Sequence, residues 1–421
     1  MAHLIIDVPK KDPQGRPIFN NANEHLSNRG AALQDLGVIH RAEFKEHLGR
    51  YGVQDTGYAE YLTSTYHLVE VEDDDVFGAM ARILRFHSDP GSTTFPHGYV
   101  ERVEVDHPLA LASPNPGIGT NFKLCGMHAT YTGPGYMDVP AAHAVTKGED
   151  IKIAVVDSGV LPGTVSFSSF HDVITRPASP GGEDLGGHGT AMATIIKDVA
   201  PRAELHVVRA VETDTATLWN TMAGVAAAVY DCKAHIINLS LGFQHLSKTC
   251  RICGGTGHAR SKVFETLLRE LAELYRRDLS VPSPIYVTAT GNNGASGVNY
   301  PAEFPMTLAV GSVNSKFERS GFSNYGTSKA EYVMLPGGDE ASGAPSEWVG
   351  EGQDDKGKTT YCLGTSPAAA YASGLLALYW ADRFKSKDAD EFTAAVLGQC
   401  DTGKIPSHSA SEHGAGFLYY H

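Results

Sequence analysis

Four short stretches of this chain end in residue types that could do chemistry together. IKIAVVDSGV leaves Asp157 at the end of an apolar run, and GGHGTAMATIIKDVA sets His188 between glycines. YVTATGNNG carries Asn292, and YCLGTSPAAAYASG carries Ser366 just before Pro367. A serine hydroxyl becomes a good nucleophile when an adjacent base takes its proton and a third group holds that base in the right tautomer. The tetrahedral intermediate then needs donors aimed at its oxyanion, and an Asn amide at a strand terminus suits that role. Each piece also has a plainer reading. An Asp at a strand end caps a turn, a His at a helix start is a structural donor, Ser before Pro is an N-cap, and Asn-Asn-Gly makes a type I′ turn. Those readings explain the pieces singly and leave their company unexplained.

The elements that must position these residues read as a parallel sheet. IKIAVVDSG, AELHVVRAV, HIINLSLG, PIYVTATGN and MTLAVGSV are short apolar runs, rich in β-branched residues and separated by helical stretches. That pattern marks strands buried on both faces. Ligands of such sheets bind at the carboxyl ends of the strands, where Asp157 and Asn292 fall.

The N-terminal third reads differently. Residues 1–60 are polar, with one amphipathic stretch, AALQDLGVIHRAEFKEHL (31–48), that predicts a helix. STYHLVEVE (64–72) alternates as a half-buried strand does. Asp73 to Asp75 then open the helical pattern VFGAMARILRF, and YVERVEVDHPLAL (99–111) is a second alternating strand. This order predicts a small α+β unit with helices on one face of an antiparallel sheet. Turn-formers dominate 113–135. The expected organisation is an extension over 1–60, an α+β domain over 61–112, a linker over 113–135 and a larger α/β domain over 136–421.

Composition bounds the function classes. The 421 residues carry a net charge of −14, which argues against a nucleic-acid partner. No run approaches the roughly 20 apolar residues of a membrane span. The opening MAHLIIDVPKKDPQGRP lacks a small-residue cleavage site, so no signal peptide is read. Six cysteines in such a chain are expected as thiols or metal ligands, and the expected compartment is the cytoplasm.

The order Asp157, His188, Asn292, Ser366 resembles the subtilase (subtilisin-like) family of serine peptidases, over roughly Gly135 to His421. HGT at 188–190 and GTS at 364–366 match the family's His and Ser boxes, and IINLSLG resembles its substrate-binding strand. The resemblance implies a three-layer subtilisin-like sheet with helices on both faces, and a serine endopeptidase that needs no cofactor. It assigns Ser366 as nucleophile, His188 as general base and Asp157 as the residue orienting it. Asn292 and the Ser366 backbone N–H would hold the oxyanion. A peptide or protein substrate would add as a strand beside Ser240, Leu241 and Gly242, with Ala289, Thr290 and Gly291 walling the pocket before the cut. YVERVEVDHPLAL resembles the last strand of the subtilase propeptide, so residues 61–112 would be an inhibitor attached to its own enzyme. The processing site would then lie within 107–135.

Some features depart from the family pattern. HGTAMAT stands for the more usual HGTHVAG, and GTSPAAAYASG for GTSMASPHVAG. The loop that binds calcium after the His helix in other members is shortened here, so no calcium is expected at that site. An insertion, FQHLSKTCRICGGTGHARSK (243–262), holds Cys250, Cys253 and His258, which suggest half of a zinc site that Cys232 or His245 could complete. The plainer reading is a Gly-rich loop with two thiols. Cys362 reads as a small buried apolar residue. Two other functions compete. A pseudoprotease binding peptides without cutting is disfavoured by the intact Asp, His, Ser and Asn. An α/β hydrolase of small esters is disfavoured because G-T-S-P-A replaces the G-x-S-x-G elbow.

Overall fold

The β-branched runs form the centre of the molecule. The computed structural model describes residues 2–7, 38–40, 66–71, 80, 102–106, 108–111, 122–174, 184, 186–212, 215–243, 245–246, 257–258, 260–277, 283–326, 331–339, 347–353, 359–383 and 388–421. In the N-terminal unit, β1 (Ala2–Asp7), β2 (Val38–His40), β3 (Tyr66–Val71) and β4 (Arg102–Val105) make an antiparallel sheet of order β2-β3-β1-β4. β5 (Pro108–Leu111) leaves that sheet for another.

The larger domain is built on seven parallel strands: β6 (Lys152–Asp157), β7 (Ser169–Asp172), β8 (Glu204–Arg209), β10 (Ile236–Leu239), β12 (Ile285–Ala289), β13 (Thr307–Val313) and β14 (Glu331–Pro336). Their order is β14-β13-β12-β10-β6-β8-β7. Two short strands, β9 (Thr215–Thr217) and β11 (Leu241–Gly242), lie outside it and flank β5. Four long helices cover the sheet: α1 (His188–Val199), α2 (Leu218–Tyr230), α3 (Lys262–Arg277) and α4 (Thr365–Asp382).

Alternation along β6 shows how the layers arise. Ile153 and Val155 join a core cluster with α1 and α4, while Ala154 and Val156 join a second cluster with α2 and α3. Successive side chains of a strand point to opposite faces, so a run without polar residues demands cover on both. The result is the three-layer α/β architecture expected for the family. Gly374 lets α4 press on α1, since a Cβ there would lie 2.7 Å from Val199 Cβ. That close approach fixes the helix carrying Ser366 against the helix carrying His188.

Three expectations about the N-terminal region need correction. The segment 1–60 supplies β1, which pairs with both β3 and β4, so the sheet crosses the boundary drawn at residue 60. The run Leu4, Ile5, Ile6 is short enough to pass for noise, yet Leu4 and Ile5 are fully buried. The stretch 31–48, expected as a helix, is described only at β2, a strand paired with β3. Of the helical pattern 76–86 only Met80 is described, and it is helical. Of the expected linker, residues 122–135 are described, and they hold regular structure. Lys123–Leu124 pairs with the strand Gly350–Gln353, and a helix spans Gly126–Thr132. Its His128 bonds the Tyr371 hydroxyl of α4 at 2.7 Å and the Asp198 carboxylate of α1 at 2.6 Å. Tertiary anchors, invisible to periodicity, hold this two-turn helix in a Gly-rich sequence.

Candidate active site

Asp157 is the last residue of β6 and is fully buried. Its Oδ1 accepts the Ser158 backbone N–H at 2.7 Å. His188 opens α1, and its Nδ1 lies 2.8 Å from Asp157 Oδ1 and 3.0 Å from Oδ2. A carboxylate accepts, so it selects the tautomer protonated at Nδ1 and leaves Nε2 with a lone pair. That Nε2 is buried and has no hydrogen-bond partner among the described residues.

The local sequence explains how the pair meets. Gly187, the N-cap of α1, has φ 74°, in the left-handed region that glycine tolerates. Gly189 touches the β6 turn, where a Cβ would sit 2.2 Å from Gly159 O and 3.2 Å from Asp157 Oδ1. Only glycine permits that approach, which brings the imidazole onto the carboxylate.

Ser366 lies in the first turn of α4, behind the N-cap Gly364 at φ 133°. Its hydroxyl donates to the Ser240 carbonyl at 3.3 Å and not to His188. Ser240 in turn donates to Asn238 Oδ1 at 3.0 Å, and Asn238 Nδ2 donates to Ser373 Oγ of α4 at 3.1 Å. These bonds tie the nucleophile helix to the end of β10. Asn292 is locked from the other side. Its Oδ1 accepts the Thr365 N–H at 2.9 Å and the Thr365 hydroxyl at 3.0 Å. Thr365 Oγ1 also accepts the Gly291 N–H at 3.1 Å, so the carboxamide's orientation is set beside Ser366.

The structure thus brings Asp157 and His188 into contact and seats Ser366 and Asn292 on one helix start. Leu241 and Gly242 form the edge strand β11, continuing directly from Ser240. Ala289 ends β12, Thr290 N–H donates to Val310 O at 3.2 Å, and Gly291 turns at φ 103°. Cys362 is buried, and burial pushes its thiol well up. Cys250 and Cys253 lie outside the described residues. His258 is described only as backbone, in a strand with Gly257. After His188, α1 runs unbroken to Val199, with β8 starting at Glu204. Among the described residues no three His, Cys, Asp or Glu side chains gather as a metal site, and no helix is long and apolar enough to cross a membrane.

A strand of the N-terminal region lies beside β11. β5 pairs antiparallel with β11, Leu111 opposite Leu241 and Ala110 opposite Gly242. On its other side it pairs with β9, Ala110 opposite Thr215 and Leu109 opposite Ala216. Leu109 is fully buried, in one cluster with Leu218, Trp219, Met222 and Leu241. Two carboxylates just before this strand cap helices of the larger domain. Asp106 Oδ1 accepts the Trp219 N–H of α2 at 2.9 Å. Glu104 Oε1 accepts the Lys262 and Val263 N–H groups of α3 at 2.9 and 3.2 Å. Acidic side chains at helix N-termini satisfy orphaned donors and meet the positive end of the helix dipole.

Several of these residues escaped the sequence reading. The pairing of β9 with β5 and the capping by Glu104 and Asp106 depend on distant partners that local periodicity does not show.

Comparison with known proteins follows the same lines. A family model described as the subtilase family matches residues 148–416. The chain is 27% identical over 315 residues to Subtilisin-like protease PopC of Myxococcus xanthus, covering 68% of this chain and 63% of that protein. It is 29% identical over 325 residues to Subtilisin NAT of Bacillus subtilis subsp. natto, 71% of each chain. It is 28% identical over 260 residues to Subtilisin BL of Lederbergia lenta, 58% of this chain and 81% of that one.

Proposed function

The chain belongs to the subtilase family and is a subtilisin-like serine endopeptidase, and from that premise we propose that it works through Ser366, His188 and Asp157 and is held inactive by its own N-terminal unit. Ser366 Oγ attacks the carbonyl carbon of the scissile bond while its proton passes to His188 Nε2. Asp157 holds Nδ1–H and balances the imidazolium. Asn292 and the Ser366 N–H stabilise the oxyanion. His188 returns the proton to the departing amine, leaving an acyl ester on Ser366, and water delivered through the same base hydrolyses it. The observation carrying this chemistry is the buried Asp157–His188 contact, with an Nε2 that has no partner among the described residues. Hydrogen bonds to a nucleophile are often loose in substrate-free sites and tighten when substrate binds.

Self-inhibition rests on β5. It lies between β9 and β11, where an extended substrate would add, and the caps from Glu104 and Asp106 support a specific fit. The register also supports a processing site just beyond it. Stepping from Gly242 to Leu241 to Ser240 advances β5 from Ala110 to Leu111 and onward, so cleavage is expected after Ala112. Cys232, Cys362 and Cys400 carry free thiols, which supports a reducing compartment, the cytoplasm, as the site of action.

A fluorophosphonate probe tests the chemistry, with Ser366→Ala as control, while intact mass follows cleavage within 107–135. Ser366-dependent labelling and a cut after Ala112 are expected. A protein that never labels, even with residues 1–112 removed, would sink the peptidase reading. A labelled protein that stays uncut would sink the self-processing.

A further inference from the structure

We propose that Asp184 is a positioning residue that raises the basicity of His188, acting through Ser158. This rests on the reading of His188 as the general base.

Asp184 is a buried carboxylate at the entry to α1. Its Oδ1 accepts the Ser158 hydroxyl at 2.8 Å, the Gly187 N–H at 2.7 Å and the Gly186 N–H at 3.2 Å. Its Oδ2 accepts the Thr190 N–H at 2.8 Å and the Thr190 hydroxyl at 2.7 Å. Both hydroxyls already accept a backbone N–H, Ser158 from Gly189 at 3.0 Å and Thr190 from Leu161 at 2.9 Å. Their protons are therefore directed at Asp184. Five donors and no acceptor around one carboxyl suit its ionised form. Burial, joined by the charge of Asp157, holds this carboxyl above its ordinary value against the pull of the Thr190 and Ser158 donors.

Ser158 is the link. Its oxygen lies 2.8 Å from Asp184 Oδ1 and 3.2 Å from Asp157 Oδ1. A hydroxyl has one proton to give, and the shorter contact takes it. While Asp184 is ionised, the Ser158 proton is drawn away from Asp157, whose charge then falls more fully on the imidazole. Asp184 adds a second negative charge in a buried site, where screening is weak. Both effects favour the imidazolium. On the adjoining strand, the charged residue level with Asp157 is Arg209, which pairs with Asp172 at 2.9 Å. Asp184 also fixes the ring's origin, since Gly187 and Thr190 bracket His188 at the start of α1.

The test is the NMR titration of the His188 Nδ1 proton in the full-length protein, which reads the imidazole whether or not the chain cuts peptides. Asp184→Asn removes the charge and lets the Ser158 hydroxyl turn to Asp157. It is expected to lower the His188 proton affinity about tenfold, moving the titration midpoint to lower pH. Ser158→Ala leaves Asp157 with no hydroxyl that could turn to it and is expected to keep the midpoint at the parent's value or slightly above it. An unchanged midpoint in Asp184→Asn overturns the proposal, because a merely structural role would lower stability without moving it. A downward shift in Ser158→Ala overturns it as well, and that variant decides the matter should Asp184→Asn fail to fold. Where either active variant cuts peptides, the acid limb of kcat/KM should follow the same shift.

Discussion

The Trp219 backbone N–H donates to the Asp106 carboxylate at 2.9 Å, so the first turn of a helix in the larger domain is closed by a residue of the N-terminal unit. Burial there pushes the Asp106 carboxyl up to about 7, against hydrogen bonds from Trp219, Thr217 and Leu218 that pull it down. A carboxyl raised on docking contributes stability that is complete below its ordinary value near 3.8 and is lost as pH climbs through about 7. Docking should therefore weaken as pH rises from about 4 to about 7 and change little above that. Calorimetry on Ser366→Ala protein checks this: adding Asp106→Asn should reduce the fall in melting temperature across that interval by a few degrees. An equal fall in both proteins would count against it.

Leu109 anchors β5 in the groove, fully buried between β9 and β11. Leu109→Asp would place an unpaired charge in an apolar cluster, at a cost of several kcal/mol. Freshly purified full-length variant should label with the fluorophosphonate probe at least about tenfold faster than the parent, before any cut appears. Equal rates would mean that β5 does not limit access.

Asn292 is held by Thr365 through its carbonyl oxygen, which commits its amide end to donation. Asn292→Ala in processed enzyme is expected to lower kcat by about 10²–10³-fold with KM little changed. Steady-state assays on a peptide substrate read this, and a loss confined to KM would remove Asn292 from the transition state.

Gly189→Ala tests the packing that joins the acid–base pair. The new Cβ would meet the Gly159 carbonyl oxygen at 2.2 Å, a backbone atom that cannot swing aside. Overpacking of this kind costs about 1–3 kcal/mol. Both melting temperature and kcat should fall, since α1 can move away only by drawing His188 off Asp157. An unperturbed kcat would show that the pair tolerates the shift.

The sheet and the principal side chains were legible because their signals are local. Ile153 to Val156 announce a doubly buried strand, and a glycine on each side of His188 announces a close approach. Ser366 drew its meaning only from Asp157, His188 and Asn292. What stayed hidden depends on distant partners. Glu104 looks like an ordinary polar position of an alternating strand, yet it caps a helix that begins at Lys262. His128 sits among turn-formers, and Tyr371 and Asp198 give its helix a reason to exist. β1 was missed because three apolar residues make a weak pattern until β3 and β4 supply their neighbours. Asp184 carries no periodic signature, and its role emerges only from the five donors around it.

The strand that fills the groove is bound along its spine on both sides, to β9 and to β11. Once that strand departs, two rows of peptide groups stand unsatisfied, and any guest must answer them with a backbone that is itself unengaged. A helix has already spent its amides, and so has a strand within a sheet. In the proposed mode of binding, selection would therefore be by conformation: an extended loop or tail has peptide groups to offer, and a helix or a paired strand has none.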